Sequence, residues 1–328
     1  MIHCCFIRIL LPVAGLLSMQ IAAGGGVPEA VPIWPGGVRA EPGGPERLLI
    51  TERAQPGALH DRYATHVVEP DLTIFPAEKP SGCALLMLPG GGYVRVVMDK
   101  EGYESAQWFA AHGISSFVLR YRLPGEYARP RPELPLHDAQ RALRLVRARA
   151  AEYGIDAGCV GVIGFSAGGH LAGLLATATI ADAYEPVDEI DRRSARPDFA
   201  VLMYPVLSMK AGLAHAGSRA QLLGPSPDAA VVERYSIEER VTAQTPPVFL
   251  LHAEDDDIVD VGNTLAMYRA LSTAGVPLEL HIYAEGGHGF GLRYATDKPV
   301  ALWPKLVRRW IGSLAPHPSG ARPADSHG

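Results

Sequence analysis

The 328-residue chain has no surplus of basic residues. Its 30 lysines and arginines are outnumbered by 35 aspartates and glutamates, which gives a formal net charge of −5. Proteins that bind nucleic acid usually carry a basic patch or stripe. Arg141, Arg144 and Arg147 recur at helical spacing, and we interpret them as the solvent-exposed face of an amphipathic helix. The sequence therefore predicts that nucleic acid is not a partner.

The N-terminal segment lacks an apolar run long enough to span a bilayer. Its run from Ile9 to Leu17 is soon interrupted by Ser18 and Gln20, whereas a membrane helix needs about 20 apolar residues. A basic residue before the run and small residues after it are typical of a secretory signal peptide. We predict a signal peptide over residues 1–23, a secreted or periplasmic protein, and no membrane attachment after cleavage.

Cysteine is scarce, and only Cys83 and Cys159 lie beyond the predicted signal peptide. They occupy matching places, each shortly before a glycine-rich turn, so their sulfurs lie side by side if the two strands are neighbours. Export permits a disulfide, but adjacent parallel strands rarely give the Cβ geometry that a disulfide needs. The prediction is therefore two buried thiols.

No internal repeat or break in composition divides the chain, which predicts a single domain over residues 46–315. Glycine and proline crowd the preceding stretch, 24–45, and predict a linker of irregular backbone. The tail, 316–328, is rich in proline, serine, glycine and histidine and is predicted to be disordered.

Strand-like and helix-like segments alternate along the domain. The predicted strands are 63–68, 72–75, 84–88, 116–120, 159–164, 199–204, 248–252 and 278–283. The predicted helices are 103–112, 136–153, 167–177, 262–274 and 302–314. Apolar strands joined by helices form a mostly parallel sheet covered on both faces. We predict an α/β fold with eight strands, the first two forming an antiparallel hairpin at one edge.

Residues 207–247 interrupt this alternation and predict a small cap with one helix at 228–235. The cap contains few large apolar residues, so we do not expect it to form a deep lid for long acyl chains.

Gly164-Phe165-Ser166-Ala167-Gly168 joins an apolar strand to a helix-like segment. A serine at such a sharp turn adopts a strained backbone that projects its hydroxyl, and small neighbours prevent clashes. The pattern predicts that Ser166 is a nucleophile.

A glycine triplet, Gly90-Gly91-Gly92, follows another predicted strand. Its backbone N–H groups are unobstructed by side chains, which is typical of an oxyanion hole. We expect it to lie near Ser166.

A serine nucleophile needs a base within hydrogen-bond reach and a carboxylate to orient that base. His288 follows the last predicted strand and is flanked by glycines, which makes it the candidate base. The acidic run after strand 248–252 offers Asp255, Asp256 and Asp257; we choose Asp256, with Asp255 as the alternative. The order serine, aspartate, histidine is that of α/β-hydrolases. His252 and His170 are interpreted as buried residues, and no histidine has metal-ligand spacing with another histidine or a cysteine.

These segments together resemble the α/β-hydrolase superfamily. The closer resemblance is to secreted bacterial esterases of the hormone-sensitive-lipase-like group and to acetylxylan-esterase-like carbohydrate esterases. It covers nearly the whole mature chain. The segments that carry it are 89–93, 99–108, 138–142, 164–170, 194–199, 252–259 and 286–289.

The resemblance has consequences for individual residues. It implies that the His-(Gly/Ala)-x-x-Asp pattern at 252–256 makes Asp256 the acid, and that N–H groups of Gly91, Gly92 and Ala167 form the oxyanion hole. Pro89 and Asp260 depart from the lipase-like pattern and leave the subfamily open.

The implied activity is a serine carboxylesterase without cofactor or metal that removes short acyl groups, acetyl first. Its expected substrate is a small acyl ester or an acylated plant polysaccharide such as xylan. Feruloyl and general small-ester esterases remain alternatives. A serine exopeptidase and an inactive hydrolase-fold binding protein are the candidates from other classes.

Overall fold

A computed structural model describes residues 30–38 and 43–314. The predicted signal peptide, the predicted tail and part of the predicted linker lie outside these residues. The strands are β1 (Ala30–Pro32), β2 (Leu49–Glu52), β3 (Arg62–Thr65), β4 (Asp71–Phe75), β5 (Ala84–Leu88), β6 (Val96–Val97), β7 (Ser115–Arg120), β8 (Val160–Phe165), β9 (Ala200–Met203), β10 (Val248–Ala253) and β11 (Leu278–Tyr283). The helices are α1 (Glu104–Ala111), α2 (Glu133–Ala148), α3 (Ala167–Ala176), α4 (Ala216–Leu223), α5 (Ala229–Arg234), α6 (Gly262–Thr273) and α7 (Trp303–Leu314).

The main sheet has eight strands in the order β1-β4-β7-β5-β8-β9-β10-β11. From β7 to β11 all neighbours run parallel, whereas β4 runs antiparallel to both β7 and β1. The predicted α/β fold with a mostly parallel eight-stranded sheet is confirmed. The carboxyl ends of the parallel strands share one edge, where loops from several parts of the chain meet.

The predicted edge hairpin is wrong. The segment predicted as strand 63–68 forms β3, which pairs with β2 and β6 in a separate three-stranded sheet. The chain turns sharply after β3, because His66 has a φ of 54°. The eighth place in the main sheet belongs to β1, within the stretch predicted to be irregular. This strand has only three residues, too few for a visible alternation of apolar and polar side chains, and the buried Ile33 follows it.

Helices cover both faces of the main sheet and bury two apolar clusters. One cluster contains residues of α2, α3 and α6, and the other contains residues of α1 and α7. In α7 the buried residues Trp303, Val307, Trp310 and Ile311 share the face that contacts the sheet. This arrangement confirms the prediction that helices lie on both faces.

The arginines of α2 do not form the solvent-exposed face that the sequence predicted. Arg141 is 2% exposed, and its guanidinium donates hydrogen bonds to Asp188 (2.7 Å) and Asp191 (2.9 Å). Arg147 donates to Asp198 at 2.9 Å. The segment that leads into β9 supplies these carboxylates, so the arginines are buried with partners rather than solvated.

Cys83 and Cys159 form a disulfide, so the prediction of two free thiols is wrong. They precede the parallel strands β5 and β8, in which Ala84 pairs with Val160. Their Cα atoms are 4.7 Å apart, within the usual disulfide range of about 4.4 to 6.8 Å. By restricting the unfolded chain, such a bridge stabilises the fold by about 2–4 kcal/mol.

The cap, residues 207–247, contains α4 and α5. Helix α5 corresponds to the predicted helix at 228–235, and α4 was not predicted. In the described part of the chain, none of the helices has the length and apolar character needed to cross a membrane.

Candidate active site

Ser166 lies at the turn between β8 and α3 with φ 54° and ψ −118°, a strained conformation for a residue with a side chain. A Cβ at Gly164 would collide with the backbone of Gly168, and a Cβ at Gly168 would collide with the carbonyl of Leu88. Ser166 N–H donates to the Met203 carbonyl at 3.0 Å. The glycines permit the turn, and the sheet holds it in place.

His288 joins Ser166 to Asp256 in one line of hydrogen bonds. Its Nε2 is 2.8 Å from Ser166 Oγ, and its Nδ1 is 2.7 Å from Asp256 Oδ2. The carboxylate accepts from Nδ1–H, which leaves Nε2 free to accept from the serine hydroxyl. The structure thus brings the three predicted residues together from the ends of β8, β10 and β11. This arrangement can take a proton from the serine as its oxygen attacks a carbonyl carbon.

Asp256 is held in its ionised form. Burial alone would raise its pKa, but hydrogen bonds from His252 and His288 outweigh burial and hold the pKa well below its usual value. The second oxygen, Oδ1, accepts N–H groups from Ile258 (3.0 Å) and Val259 (2.9 Å). The carboxylate therefore has a fixed direction and a lasting negative charge beside the imidazole.

His252 supports Asp256 from behind. Its Nε2 is 3.1 Å from Asp256 Oδ2 and 3.0 Å from the Val259 carbonyl, both acceptors, so Nε2 carries the hydrogen. Its Nδ1 is 2.7 Å from Thr264 Oγ1. The sequence predicts a buried, hydrogen-bonded His252. It does not reveal that one of these bonds reaches Asp256.

Asp255, the alternative candidate for the acid, contacts the backbone of the loop that carries His288. Its Oδ1 accepts N–H groups from Gly286 (2.8 Å) and Gly287 (2.7 Å). The Lys298 ammonium donates to the Gly286 carbonyl at 2.7 Å. Asp255 therefore orients the loop that bears His288, whereas Asp256 contacts the ring.

The glycine triplet lies against the serine. A Cβ on Gly90 would be 3.0 Å from the Cβ of Ser166. Gly91 and Gly92 have φ of 128° and 66°, and in the described residues their N–H groups have no hydrogen-bond acceptor. Ala167 begins α3, so its N–H has no acceptor within the helix. The predicted oxyanion residues therefore provide unpaired backbone donors on two elements that meet near Ser166.

Glu101, which no sequence motif marks, connects the glycine triplet to the loop that carries His288. It is 3% exposed and accepts hydrogen bonds from Gly90 N–H (2.9 Å) and the Tyr204 hydroxyl (3.1 Å). Gly291 N–H donates to the same hydroxyl at 3.3 Å. Burial, with Glu101 nearby, raises the pKa of Tyr204 well above its usual value, so the hydroxyl remains a donor.

A buried histidine joins the end of the glycine loop to α3 and the cap. The Tyr93 hydroxyl is 2.9 Å from His170 Nδ1, and His170 Nε2 is 2.7 Å from the Tyr235 carbonyl. A carbonyl only accepts, so Nε2 carries the hydrogen and Nδ1 accepts from Tyr93. His170 was predicted to pack after the serine turn; it also holds the loop beside the serine.

Because His170 is buried and neutral, we expect the free energy of unfolding to fall in acid. Burial lowers the pKa of His170 to about 4, whereas an unfolded histidine titrates near pH 6.5. The contribution of His170 to the free energy of unfolding is therefore fully present above about pH 6.5. About 3 kcal/mol of this free energy is lost as the pH falls to about 4. Urea unfolding at several pH values measures this loss. The slope of stability against pH should be shallower in His170→Gln than in the parent, and equal slopes would contradict the assignment.

An open cleft of about 380 Å³ contains Ser166 and His288. Its walls also include Arg53, Val94, Arg95, Lys100, His215 and Ile258. Most of these side chains are polar, and the cleft is open to solvent. Within residues 30–38 and 43–314 no group of three or more histidines, cysteines, aspartates or glutamates could hold a metal ion.

The family model described as BD-FAE matches residues 71–271. The chain belongs to the BD-FAE family. The range matched in this BD-FAE chain includes Ser166, Asp256 and the glycine triplet, whereas His288 lies beyond it. The sheet and the surrounding helices have the α/β-hydrolase fold that the sequence resemblance implied.

Named relatives of this BD-FAE chain are esterases or hydrolases. An acetylxylan esterase from Xylanibacter ruminicola is 36% identical over 74% of this chain and 48% of its own length. An ethyl acetate hydrolase from Pseudomonas putida is 30% identical over 74% of this chain and 79% of its own. The chain thus spans about half the length of the first relative.

The solved structure of an acetyl ester-xyloside bifunctional hydrolase from Caldicellulosiruptor lactoaceticus is also 36% identical. It matches with a TM-score of 0.73 over 89% of this chain and 98% of its own.

Proposed function

We propose that this chain is a serine carboxylesterase that removes short acyl groups, acetyl first, from plant cell-wall polysaccharide such as xylan. One observation carries the proposal. A continuous line of hydrogen bonds runs from Ser166 and His288, which line an open cleft beside unpaired backbone donors, to the buried Asp256.

In the first half of the reaction, Ser166 Oγ attacks the ester carbonyl and transfers its proton to His288 Nε2. The carbonyl oxygen becomes an oxyanion and accepts hydrogen bonds from N–H groups of Gly91, Gly92 and Ala167. The ionised Asp256 stabilises the imidazolium. As the carbon–oxygen bond to the alcohol breaks, His288 returns its proton to the alcohol oxygen and an acyl-serine remains.

In the second half, a water molecule gives a proton to His288 Nε2 as its oxygen attacks the acyl-serine carbonyl. The same backbone donors hold the second oxyanion. When this intermediate collapses, the bond to Ser166 Oγ breaks, the proton returns to the serine, and the free carboxylic acid leaves.

The proposed substrate follows from the cleft and from the names of the relatives. Acetylxylan esterase and acetyl ester-xyloside hydrolase are the names given to two similar proteins. A cleft that is open to solvent and carries charged side chains in its walls fits a short acyl group on a bulky alcohol better than a long acyl chain. A second candidate, a small-ester esterase, is favoured by the similarity to an ethyl acetate hydrolase.

We also propose that the protein is exported. The bridge between Cys83 and Cys159 supports this, because disulfides persist in oxidising compartments and are rare in the cytosol. The predicted signal peptide, residues 1–23, supports the same location.

The proposal is tested by measuring the acetate and ferulate released from acetylated xylan, acetylated xyloglucan, feruloylated arabinoxylan and ethyl acetate. We expect acetate release from xylan with a higher kcat/KM than ethyl acetate hydrolysis. A preference for ethyl acetate would favour the second candidate. Release of neither acid above the Ser166→Ala background would contradict both, and cleavage of aminoacyl amides instead would indicate an exopeptidase.

A further inference from the structure

His215 lies at the N-terminus of α4 in the cap and lines the same cleft as Ser166 and His288. Its Nδ1 accepts the backbone N–H of Ser218 at 3.2 Å and is 2.8 Å from the hydroxyl of the same residue. This contact caps α4, because it satisfies an N–H that has no acceptor within the helix. The Nδ1 atom of His215 therefore serves as the N-terminal cap of helix α4.

The hydrogen bond from the Ser218 N–H to Nδ1 determines the tautomer of His215. A backbone N–H only donates, so Nδ1 must be unprotonated, and the neutral ring therefore carries its hydrogen on Nε2. Burial lowers the pKa of His215, and the nearby His288 lowers it further, so the neutral form is favoured. In the described part of the chain, Nε2 has no hydrogen-bond acceptor.

The acyl half of an acetyl ester does not supply an acceptor for this donor. Its only polar atom is the carbonyl oxygen, which the mechanism places against the backbone donors at Gly91, Gly92 and Ala167. The acceptor therefore belongs to the alcohol half. A simple alkyl alcohol offers only the ester oxygen, whereas a sugar adds ring and hydroxyl oxygens next to the reacting ester.

Three cationic side chains, Arg53, Arg95 and Lys100, line the cleft together with His215. The Arg95 guanidinium lies 5.2 Å from the ring centre of Tyr63, and because its Nε is buried, only its terminal nitrogens can face the cleft. Lys100 donates one hydrogen bond to the Gly289 carbonyl at 2.9 Å, and an ammonium has three donors. The cleft is therefore rich in donors, which suits an alcohol with many oxygens.

We propose that His215 is a specificity residue whose Nε2–H donates to an oxygen of the alcohol half, so that the cleft selects esters of saccharides over esters of simple alcohols. This inference rests on the proposed function and names the part of the substrate that the cap recognises.

His215→Asn and His215→Gln form a matched pair. Asparagine can replace Nδ1 as the cap of α4 but does not reach the position of Nε2, whereas the longer glutamine amide places a donor near that position. The readout is the ratio of kcat/KM for an acetylated xylo-oligosaccharide to kcat/KM for p-nitrophenyl acetate. We expect His215→Asn to lower this ratio about three- to tenfold, the effect of one hydrogen bond, and His215→Gln to restore part of it.

Thermal unfolding midpoints measure folding separately, and we expect that of His215→Asn to match the parent. An unchanged ratio in His215→Asn, or a lower ratio in His215→Gln than in His215→Asn, would overturn the inference while the esterase proposal stands. If the parent hydrolyses neither substrate, the proposed function itself fails.

Discussion

Replacing Ser166 with alanine should lower kcat for acetyl ester hydrolysis by about 10⁶-fold, to near the background rate. The substitution removes only Oγ, the atom 2.8 Å from His288 Nε2. Without it no acyl-enzyme forms, and the remaining rate comes from the oxyanion donors and from substrate binding. Acetate release, followed by titration over several hours, measures both the parent and the variant.

Two controls separate chemistry from folding. Alanine adopts the same backbone as serine at this turn, so the thermal midpoint of Ser166→Ala should equal that of the parent. Ser313→Ala is a matched serine substitution on α7, where the hydroxyl donates to the Trp310 carbonyl, and it should retain parent activity. An organophosphonate should label the parent stoichiometrically and leave Ser166→Ala unlabelled. Retention of most activity by Ser166→Ala would place the nucleophile elsewhere.

The geometry around Ser166 could be predicted because its causes are local. The turn needs glycines at 164 and 168, and the chain has them. The loops after β8, β10 and β11 meet because parallel strands present their carboxyl ends at one edge of the sheet. The residues that end these strands are therefore brought together once the alternation of strands and helices is recognised.

Other features depend on partners far along the chain. The buried position of Arg141 follows from Asp188 and Asp191, which belong to a later segment. The sequence places Cys83 and Cys159 at matching positions, but the disulfide depends on how closely β5 and β8 approach there, and the 4.7 Å between the two Cα atoms is visible only in the fold. The same holds for β1, whose three residues acquire strand geometry only by pairing with β4. Local periodicity predicts which elements form, and long-range pairing decides where they lie.

The groups that surround the reacting atoms were the hardest to predict. Glu101 and His215 have no motif of their own, and each is recognised by the hydrogen bonds that it makes in the folded chain. It is easier to recognise from a sequence which residues can react than to recognise which residues position them. The four consecutive carboxylates after β10, Glu254 to Asp257, illustrate this limit, since only the fold shows that Asp256 contacts the ring of His288 and that Asp255 contacts the loop that carries it.

Asp256→Asn should lower kcat by about 10⁴-fold. The asparagine amide can present N–H to His288 Nδ1, which would then accept, so that Nε2 carries the hydrogen and no longer takes the serine proton. The loss of negative charge also removes the stabilisation of the imidazolium. Steady-state kinetics on p-nitrophenyl acetate across pH 5 to 9 measures the effect, with the thermal midpoint as the check on folding.

Asp255→Asn is the matched control, one residue away with the same change in charge. Its amide oxygen can still accept the N–H groups of Gly286 and Gly287, which are 2.8 Å and 2.7 Å from Asp255 Oδ1. We therefore expect kcat to fall less than about tenfold, because the hydrogen bonds from Gly286 and Gly287 become weaker when the acceptor is neutral but are not lost. A larger loss for Asp255→Asn than for Asp256→Asn would make Asp255 the orienting acid. That result would require the His288 ring to turn away from the 2.7 Å contact with Asp256.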